Sequence, residues 1–221
     1  MRKLAHHEIP RPDPETLRRL PRHPIVVVLD NIRSIYNVGS IFRTSDAARI
    51  EKLYLTGITG TPEHRQLHKT ALGAEETVPW EYVRDPVPLV ESLRKAGYTI
   101  AALELTDTPT YTHQLPDDIF PLALIVGHEL YGVQPALIER ADLALEIPQF
   151  GSKQSLNVAV AYGIAVFDLV RHYRRLQGDP RFSSTSAARR SRRTHASFPM
   201  TSIISNRLGP NDSPLMARRV G

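Results

Sequence analysis

The stretch IVVVLDNIRSIYNVGSIFRTSDA, residues 25 to 47, places a short apolar run directly before a polar segment. The run Ile25–Asp30 is rich in β-branched residues, which is typical of a strand buried on both faces of a parallel sheet. The segment that follows carries asparagines, arginines and small residues where a helix that only builds a core would carry leucines. This contrast predicts an α/β domain and makes the carboxyl end of the first strand a candidate functional surface.

The same alternation recurs along the chain and extends the prediction to a whole sheet. Four more apolar runs predict strands, at Lys52–Gly57, Tyr98–Leu105, Leu122–Gly127 and Leu143–Pro148. Helical patterns separate or follow these runs, at Val38–Ala48, Glu63–Leu72, Pro88–Ala96, Gln134–Arg140 and Ser155–Gln177. Strands that alternate with helices predict a mainly parallel sheet with helices packed on both of its faces.

The ends of the chain differ from this body in composition. Residues 1–23 are punctuated by prolines and predict an N-terminal arm with one helical turn at Glu15–Leu20. Residues 24–177 form the predicted domain, and residues 178–221 predict a basic, disordered tail because they have little apolar periodicity. From Arg175 to Gly221 there are nine arginines and two aspartates, a charge of +7, which leaves −2 on the rest of the chain. The chain before Arg175 could therefore bind an anionic partner only through a local basic patch.

Composition excludes several classes of protein. The 221 residues include no cysteine, which excludes a disulfide framework and cysteine-ligated metal sites. The N-terminus has no apolar h-region, and no apolar run approaches the roughly 20 residues that span a bilayer. We therefore expect a soluble cytoplasmic protein without a membrane partner. The sequence pI of about 9.6 adds nucleic acid as a possible partner.

Common nucleotide, hydrolase and metal fingerprints are missing from the sequence. No G-x-G-x-x-G follows the first strand, and there is no G-x-x-x-x-G-K-[ST], so a standard dinucleotide site and a P-loop are disfavoured. A G-x-S-x-G elbow is also missing, and the nine histidines include no H-E-x-x-H pair. We predict no metal site and look for the chemistry among the polar residues that follow the strands.

The first of three polar clusters lies in the opening stretch. Asn37 is predicted to cap a helix that starts near Val38, and Gly39 allows close approach of a ligand or of backbone. Arg43 lies six residues beyond Asn37, so it projects from nearly two turns into that helix. A solvated helix entry explains the cap, but it does not explain why the whole segment is small and polar.

The second cluster, IVGHELYGV at residues 125 to 133, ends a predicted strand in Gly127 and continues to Glu129. Taken alone, it reads equally well as a glycine turn with one exposed carboxylate. In open α/β sheets, however, ligands bind beyond the carboxyl ends of the strands, which is where this cluster falls.

The third cluster, IPQFGSKQSLNVAVAYGIA at residues 147 to 165, leads from a predicted strand into the last helix. Ser155 is an acceptable N-cap of that helix, and Asn157 would lie just inside it, where free N–H groups can bind carbonyls or anions. The small residues of VAVAYGIA allow close helix packing, either in the core or across a dimer interface.

In this order the three clusters resemble the motifs of the TrmH/SpoU family of RNA ribose 2′-O-methyltransferases, within the SPOUT superfamily. The segment KTALGAEETV at residues 69 to 78 also looks like this family, and the resemblance covers roughly residues 24 to 176. It implies an α/β domain with a deep C-terminal trefoil knot, a SPOUT α/β-knot, although true knots are otherwise nearly absent from proteins. It further implies S-adenosylmethionine as cofactor, tRNA or rRNA as substrate, and a homodimer that completes the RNA site.

The resemblance also assigns residues to the site. The family's catalytic positions fall on Asn37, Arg43, Glu129, Ser155 and Asn157. Its cofactor-binding positions fall on the backbone around Leu103, Glu104, Gly127, Ile147 and Leu156. The sequence departs from the family at Gln149, where an apolar residue often follows the proline, and this affects the lining of the pocket rather than the assignment.

The mechanism that the resemblance implies is attack of a ribose 2′-hydroxyl on the methyl group of the cofactor. Family proposals make the Arg43 position the base, but a guanidinium normally stays protonated, so holding a phosphate and stabilising the alkoxide is an equally physical role. Ser155 and Asn157 would orient the ribose or Arg43, and Glu129 would orient Arg43 or the loops.

Two alternative functions stay open at this point. One is a SPOUT RNA base N-methyltransferase. The other is a non-catalytic knotted RNA-binding protein, which would be expected to have lost one of the polar site residues. The basic run ARRSRR at residues 188 to 193 predicts an electrostatic contribution of the tail to RNA binding, so truncation after Gln177 should weaken that binding most at low salt.

Overall fold

The computed structural model of the protein describes residues 1–9 and 13–182. It contains seven strands: β1 (His23–Asp30), β2 (Ile50–Thr56), β3 (Trp80–Val83), β4 (Thr99–Leu103), β5 (Pro109–Tyr111), β6 (Leu122–Val126) and β7 (Leu143–Glu146). The helices in these residues are α1 (Pro14–Arg19), α2 (Ile35–Ala48), α3 (His68–Ala71), α4 (Pro86–Lys95), α5 (Pro135–Ile138) and α6 (Val158–Leu176). Short 3-10 turns add to these at His6–Glu8 and Ala74–Glu76.

The strands form one sheet in the order β3-β2-β1-β6-β4-β7-β5, and the strand pairs are parallel. This confirms the predicted mainly parallel sheet. All five strands predicted from apolar runs are present, and their ends agree with the predicted ends to within two residues. The outermost strands, β3 and β5, were not predicted, because they are only four and three residues long and carry polar residues or proline.

Helices cover both faces of the sheet, as predicted. Successive residues of β1 point to opposite faces, so Val27 joins one core cluster and Val28 the other. The first cluster packs β1 against α2 and α6, with Phe42 and Leu169 fully buried. The second cluster lies under α4 and α5, with Val90 and Leu137 fully buried. The central strands are therefore apolar throughout, which explains the continuous runs in the sequence.

The predicted caps of the two site helices are wrong. The side chain of Ser34, not Asn37, caps α2 and accepts a hydrogen bond from the Asn37 N–H at 3.4 Å, so Asn37 lies inside the first turn. Asn157, not Ser155, caps α6 through its Oδ1, which accepts from the N–H groups of Ala159 at 3.0 Å and Val160 at 3.3 Å. In each helix the observed cap is a polar residue with non-helical backbone, and its side-chain oxygen accepts from free amides of the first turn.

Arginine contacts hold α1 against the domain and order the residues that follow α6. The guanidinium of Arg49 donates to the carbonyls of Leu17, Leu20 and Pro21, which ties α1 to the end of α2. Beyond α6, Asp179 pairs with Arg174 and Arg181. Residues 183–221, most of the predicted disordered tail, lie outside the described residues. Within the described part, no helix has the length and apolar character that crossing a bilayer requires.

Candidate active site

A chain of hydrogen bonds joins three segments that are far apart in sequence. Glu129, in the loop after β6, accepts from Asn37 Nδ2 in α2 at 2.8 Å through Oε1. Asn157, the cap of α6, donates from Nδ2 to Asn37 Oδ1 at 3.2 Å. The structure thus brings together three of the five predicted catalytic residues, and Asn37 is the link between the other two.

Glu129 also holds the entry of α2 directly. Its carboxylate accepts from the backbone N–H groups of Arg33 and Ser34, each at 2.9 Å. Burial of the Glu129 carboxylate opposes ionisation, but these two amides and Asn37 outweigh it and lower the pKa of Glu129 below its ordinary value. An ionised carboxylate at a helix N-terminus is also favoured by the helix dipole. Glu129 is therefore a charged clamp between the β6 loop and α2.

A cavity of about 310 Å³ opens beside this clamp, at the carboxyl ends of β4, β6 and β7. Its wall includes all five residues predicted to bind the cofactor: Leu103, Glu104, Gly127, Ile147 and Leu156. It also includes Glu129 and Ser155 of the predicted catalytic set. The cavity lies where an open parallel sheet is expected to bind a ligand, because the loops that follow the strands converge there.

Close backbone packing gives the cavity a fixed wall. A Cβ at Gly127 would lie 2.2 Å from the backbone carbon of Gly132 and the nitrogen of Val133, so only glycine fits at this position. Glu104 accepts from the Val133 N–H at 2.9 Å and from the Leu105 N–H at 3.0 Å. The side chain of Glu104 therefore secures the loop after β6 to the end of β4, a contact that the sequence patterns did not predict.

Arg43 lies apart from the cavity within a single chain. It is exposed on α2, and among the described residues its guanidinium forms no hydrogen bond or ion pair. Six residues separate it from Asn37, about 9 Å along the helix axis. The structure therefore leaves Arg43 free to meet an anion from solution, but does not place it in the wall that holds Glu129 and Ser155.

Ser155 lies in the exposed loop between β7 and α6 and lines the cavity, while its hydroxyl caps no helix. The same loop carries Gln149, the residue at which the sequence departs from the family pattern. Gln149 also lines the cavity, and its Nε2 donates to the Gln154 carbonyl at 3.3 Å. The departure therefore places an amide, bonded within its own loop, on the cavity wall.

Asp30, at the end of β1, holds the loop after β6 beside the site, and the sequence did not predict this role. It is 1 % exposed, and its carboxylate accepts from Gln134 N at 2.9 Å and from Gln134 Nε2 at 2.7 Å. It also accepts from Asn31 Nδ2 at 2.8 Å. A charged residue that ends an apolar strand is the signal that could have revealed it, since a buried carboxylate requires partners.

Comparisons with known proteins place these features in context. The sequence model of the family described as SpoU rRNA Methylase matches residues 24–167. The chain is 33 % identical over 147 residues to the tRNA (guanosine(18)-2′-O)-methyltransferase of Aquifex aeolicus, a match that covers 66 % of this chain and 69 % of that protein. It is 34 % identical over 145 residues to the 23S rRNA (guanosine(2553)-2′-O)-methyltransferase RlmP of Bacillus subtilis, covering 65 % of this chain and 57 % of that protein.

Solved structures give the same result for the fold. The chain resembles the TrmH/SpoU tRNA modifying enzyme of A. aeolicus with a TM-score of 0.65 and 30 % identity, over 74 % of this chain and 85 % of that one. It resembles the AdoMet-bound rRNA methyltransferase of Sinorhizobium meliloti with a TM-score of 0.64 and 29 % identity, over 71 % of this chain and 60 % of that one. Against several curated relatives the match spans only 57 to 62 % of their length.

Proposed function

The chain belongs to the SpoU rRNA methylase family, and we propose that it transfers a methyl group from S-adenosylmethionine to a ribose 2′-hydroxyl of tRNA or rRNA. The observation that carries this proposal is the position of the Glu129–Asn37–Asn157 hydrogen bonds beside the 310 Å³ cavity. A charged clamp, two amides and a ligand cavity meet at one edge of the sheet. The A. aeolicus and B. subtilis relatives are named for methylation of guanosine 2′-hydroxyls in tRNA and in rRNA.

The cavity fits the proposed cofactor in size and in chemistry. Its volume lies at the lower end of the roughly 300–1,000 Å³ of small-molecule sites. Leu103, Ile147 and Leu156 supply apolar surface for an adenine ring, and the carboxylates of Glu104 and Glu129 suit a cationic ligand. When bound, S-adenosylmethionine supplies a methyl group made electrophilic by its sulfonium.

The chain's own residues would do the rest of the chemistry. The 2′-hydroxyl must lose its proton as its oxygen attacks, and the growing alkoxide must be stabilised. Arg43, which is exposed and unpaired among the described residues, is a cation suited to a substrate phosphate and to that developing charge, and in a dimer it would act at the partner's cavity. Asn37 and Asn157 hold each other beside the cavity, while Ser155 presents a free hydroxyl to orient the ribose. The proton passes to solvent water, because a guanidinium normally stays protonated and cannot accept it.

We also propose the trefoil knot that the family resemblance implies. Strand β7 lies between β4 and β5, so it runs inside the loop that residues 104–121 form on their way from β4 to β6. The chain enters β7 from α5 on one face of the sheet and leaves it towards α6 on the other. Residues 112–121 then contact α6, where His172 Nε2 bonds the Pro116 carbonyl at 2.9 Å and Arg175 pairs with Asp117. These contacts support a path that threads the loop.

A homodimer is the assembly that we propose for activity. Val160, Ile164 and Phe167 form an apolar stripe on α6, and they are 53 %, 40 % and 47 % exposed. Their spacing of four and three residues puts them on one face of the helix. A second copy that covers this stripe would also bring a further Arg43 and a further cavity together.

Glutamate at the centre of such an interface should break the dimer. We expect Phe167→Glu to be monomeric by light scattering and to lose methyl transfer while retaining its fold. Leu20→Glu is the matched control, because Leu20 is equally exposed at 47 % but lies at the end of α1. A Phe167→Glu dimer with normal activity would contradict this assembly.

Nucleoside mass spectrometry tests the proposed function as a whole. The chain and S-adenosylmethionine are incubated separately with unmodified tRNA and unmodified rRNA, and each RNA is then digested. A 2′-O-methyl nucleoside in one pool is expected and identifies the substrate class. A methylated base would instead indicate a base N-methyltransferase. The absence of cofactor binding would support a non-catalytic RNA-binding protein, whereas cofactor binding without any product would point to a missing partner or an unusual RNA.

A further inference from the structure

Five exposed apolar side chains lie around the mouth of the cavity, and we call them the mouth cluster: Leu105, Leu130, Tyr131, Phe150 and Leu156. They come from the three loops that follow β4, β6 and β7. Four of them line the cavity, and Phe150 directly follows Gln149, which also lines it. Single exposed apolar residues are ordinary on a protein surface, but a group that converges on a cavity marks a binding surface.

The two aromatic members of the mouth cluster are its most exposed. Phe150 is 98 % exposed and Tyr131 is 83 % exposed. The ring of Tyr131 leans on His128, with centroids 4.8 Å apart and an interplanar angle of 32°. One face of the Tyr131 ring is thus supported by His128, which leaves its remaining surface to solvent.

The loop that carries Tyr131 is rigid. His128 and Gly132 form an antiparallel bridge with two backbone hydrogen bonds, at 3.0 Å and 2.9 Å. The loop is also held from outside by Glu104, which bonds the Val133 N–H, and by Asp30, which bonds the Gln134 N–H. Tyr131 is therefore presented on a fixed support, and an aromatic platform that is already ordered loses little entropy when a planar ligand stacks on it.

We propose that Tyr131 and Phe150 form a stacking surface for an unpaired base of the RNA, at or next to the methylated nucleotide. The inference rests on the proposed function, because the ribose 2′-hydroxyl must reach the cavity while the cofactor fills it. The attached base then has no room inside the 310 Å³ cavity and lies against the mouth cluster. Unpaired RNA bases stack on aromatic side chains in a way that tolerates many sequences.

Nearby charges favour a nucleic acid over an apolar protein surface as the occupant. Lys153 is exposed in the loop of Phe150, and Arg33 is exposed next to the loop of Tyr131, since its N–H bonds Glu129. These cations can contact the phosphates on either side of a stacked base. The carboxylates of Glu104 and Glu129 lie in the cavity wall, where they accept from backbone amides and face the proposed cationic cofactor. The surface proposed for a second copy is the stripe on α6, whereas the mouth cluster comes from the loops.

Fluorescence of a Phe150→Trp variant reports stacking directly, and the chain's single native tryptophan, Trp80, sets the background. The variant is titrated, with S-adenosylmethionine present, with a single-stranded RNA, the same strand with abasic sites, and a duplex of equal length. We expect quenching by the single strand only. Phe150→Ala should bind the single strand at least roughly tenfold more weakly than the wild-type chain, the scale of one lost base stack. Its affinity for the cofactor should stay unchanged.

Tyr82→Trp is the matched control, because Tyr82 is an exposed aromatic residue on β3, at the sheet edge opposite β5. It should show no selective quenching by the single strand.

Equal quenching of Phe150→Trp by the abasic strand, or no quenching by RNA that the chain binds, would overturn the stacking surface and leave the proposed function intact. A monomeric Phe150→Ala in place of a wild-type dimer would overturn it by making Phe150 a contact between copies. A wild-type chain that neither binds RNA nor methylates it would refute both.

Discussion

At the scale of single residues, Arg43 is the side chain whose removal should separate chemistry from folding. It is exposed and, within the described residues, bonds to nothing, so Arg43→Ala should keep the fold and the affinity for S-adenosylmethionine. We expect methyl transfer to fall by roughly 10²–10³-fold, the usual loss when one stabiliser of a developing charge is removed. Single-turnover methylation and calorimetric binding of the cofactor measure the two effects.

Two companion variants sharpen this prediction. Arg43→Lys should recover little activity if the guanidinium must donate two parallel hydrogen bonds to a phosphate. Arg84→Ala removes an exposed arginine just beyond β3 and should leave the transfer rate unchanged. Near-normal turnover of Arg43→Ala would remove Arg43 from the mechanism.

Glu129 is the residue whose charge should link stability to pH. Its pKa in the folded chain lies below the ordinary value of 4.5, so its stabilisation is complete above about pH 4.5 and is lost as the pH falls through the lower folded value. Glu129→Gln leaves one of the three N–H donors without an acceptor and should reduce the free energy of unfolding by about 1–2 kcal/mol at pH 7. Urea unfolding at pH 7 and in acid should show the deficit shrinking as the pH falls.

Glu139→Gln is the control for this titration, since Glu139 is an exposed carboxylate at the end of α5. Its unfolding curve should match that of the wild-type chain at both pH values. If Glu129→Gln lost the same unfolding free energy at pH 7 and in strong acid, Glu129 would stabilise the fold through its shape and not through its charge.

At the scale of elements, alanine substitutions at two glycines within helices should have opposite effects on stability. A Cβ at Gly39 in α2 would lie 1.9 Å from Thr70 Oγ1 and 2.8 Å from the Leu67 carbonyl, so Gly39→Ala should push α3 away. We expect a loss of about 1–3 kcal/mol, the cost of overpacking. At Gly163 in α6 the nearest atom of the same chain would be Thr44 Cγ2 at 3.9 Å, so Gly163→Ala in the monomeric Phe167→Glu background should gain about 0.5–1 kcal/mol from helix propensity. Thermal unfolding of both variants tests the helix contacts, and equal shifts would contradict them.

At the scale of the whole molecule, the basic tail should act on RNA affinity without acting on the site. Residues 183–221 hold seven arginines and one aspartate, a net charge of +6. Truncation after Phe182 is cleaner than truncation after Gln177, because Asp179 pairs with Arg174 of α6. We expect the truncated chain to bind RNA more weakly at low salt and to show a shallower dependence of log affinity on log salt. An unchanged slope would exclude the tail from binding.

The parts of the molecule that the sequence could predict are those where local pattern decides structure. Ile25–Leu29 is apolar throughout because β1 lies between two neighbours and beneath helices on both faces, and that burial is visible in the run itself. Edge strands such as Pro109–Tyr111 are short and half-buried, so no pattern marks them. The insertion of β7 between β4 and β5 is set by pairing between distant residues, which no local window contains.

The candidate site likewise combines contacts that the sequence could predict with contacts that it could not. The family resemblance put Asn37, Glu129 and Asn157 in one predicted site, and the structure links Glu129 to Asn37 and Asn37 to Asn157 by hydrogen bonds. The capping residue of each helix was not predictable, because each helix entry carries several polar residues that could cap it. Only the packed fold selects Ser34 for α2 and Asn157 for α6. The support from Asp30 and Glu104 was equally hidden, since it depends on loops from other strands.

The bond from Asn157 to Asn37 spans 120 residues, and the bonds from Glu129 to the entry of α2 span 92 to 96. A ribosome makes Asn37 early, Glu129 much later and Asn157 later still. The entry of α2 therefore gains its Glu129 contacts only after the sixth strand has been made, and its Asn157 contact only with α6. The order of synthesis therefore delays assembly of the site until the last of its helices has been made.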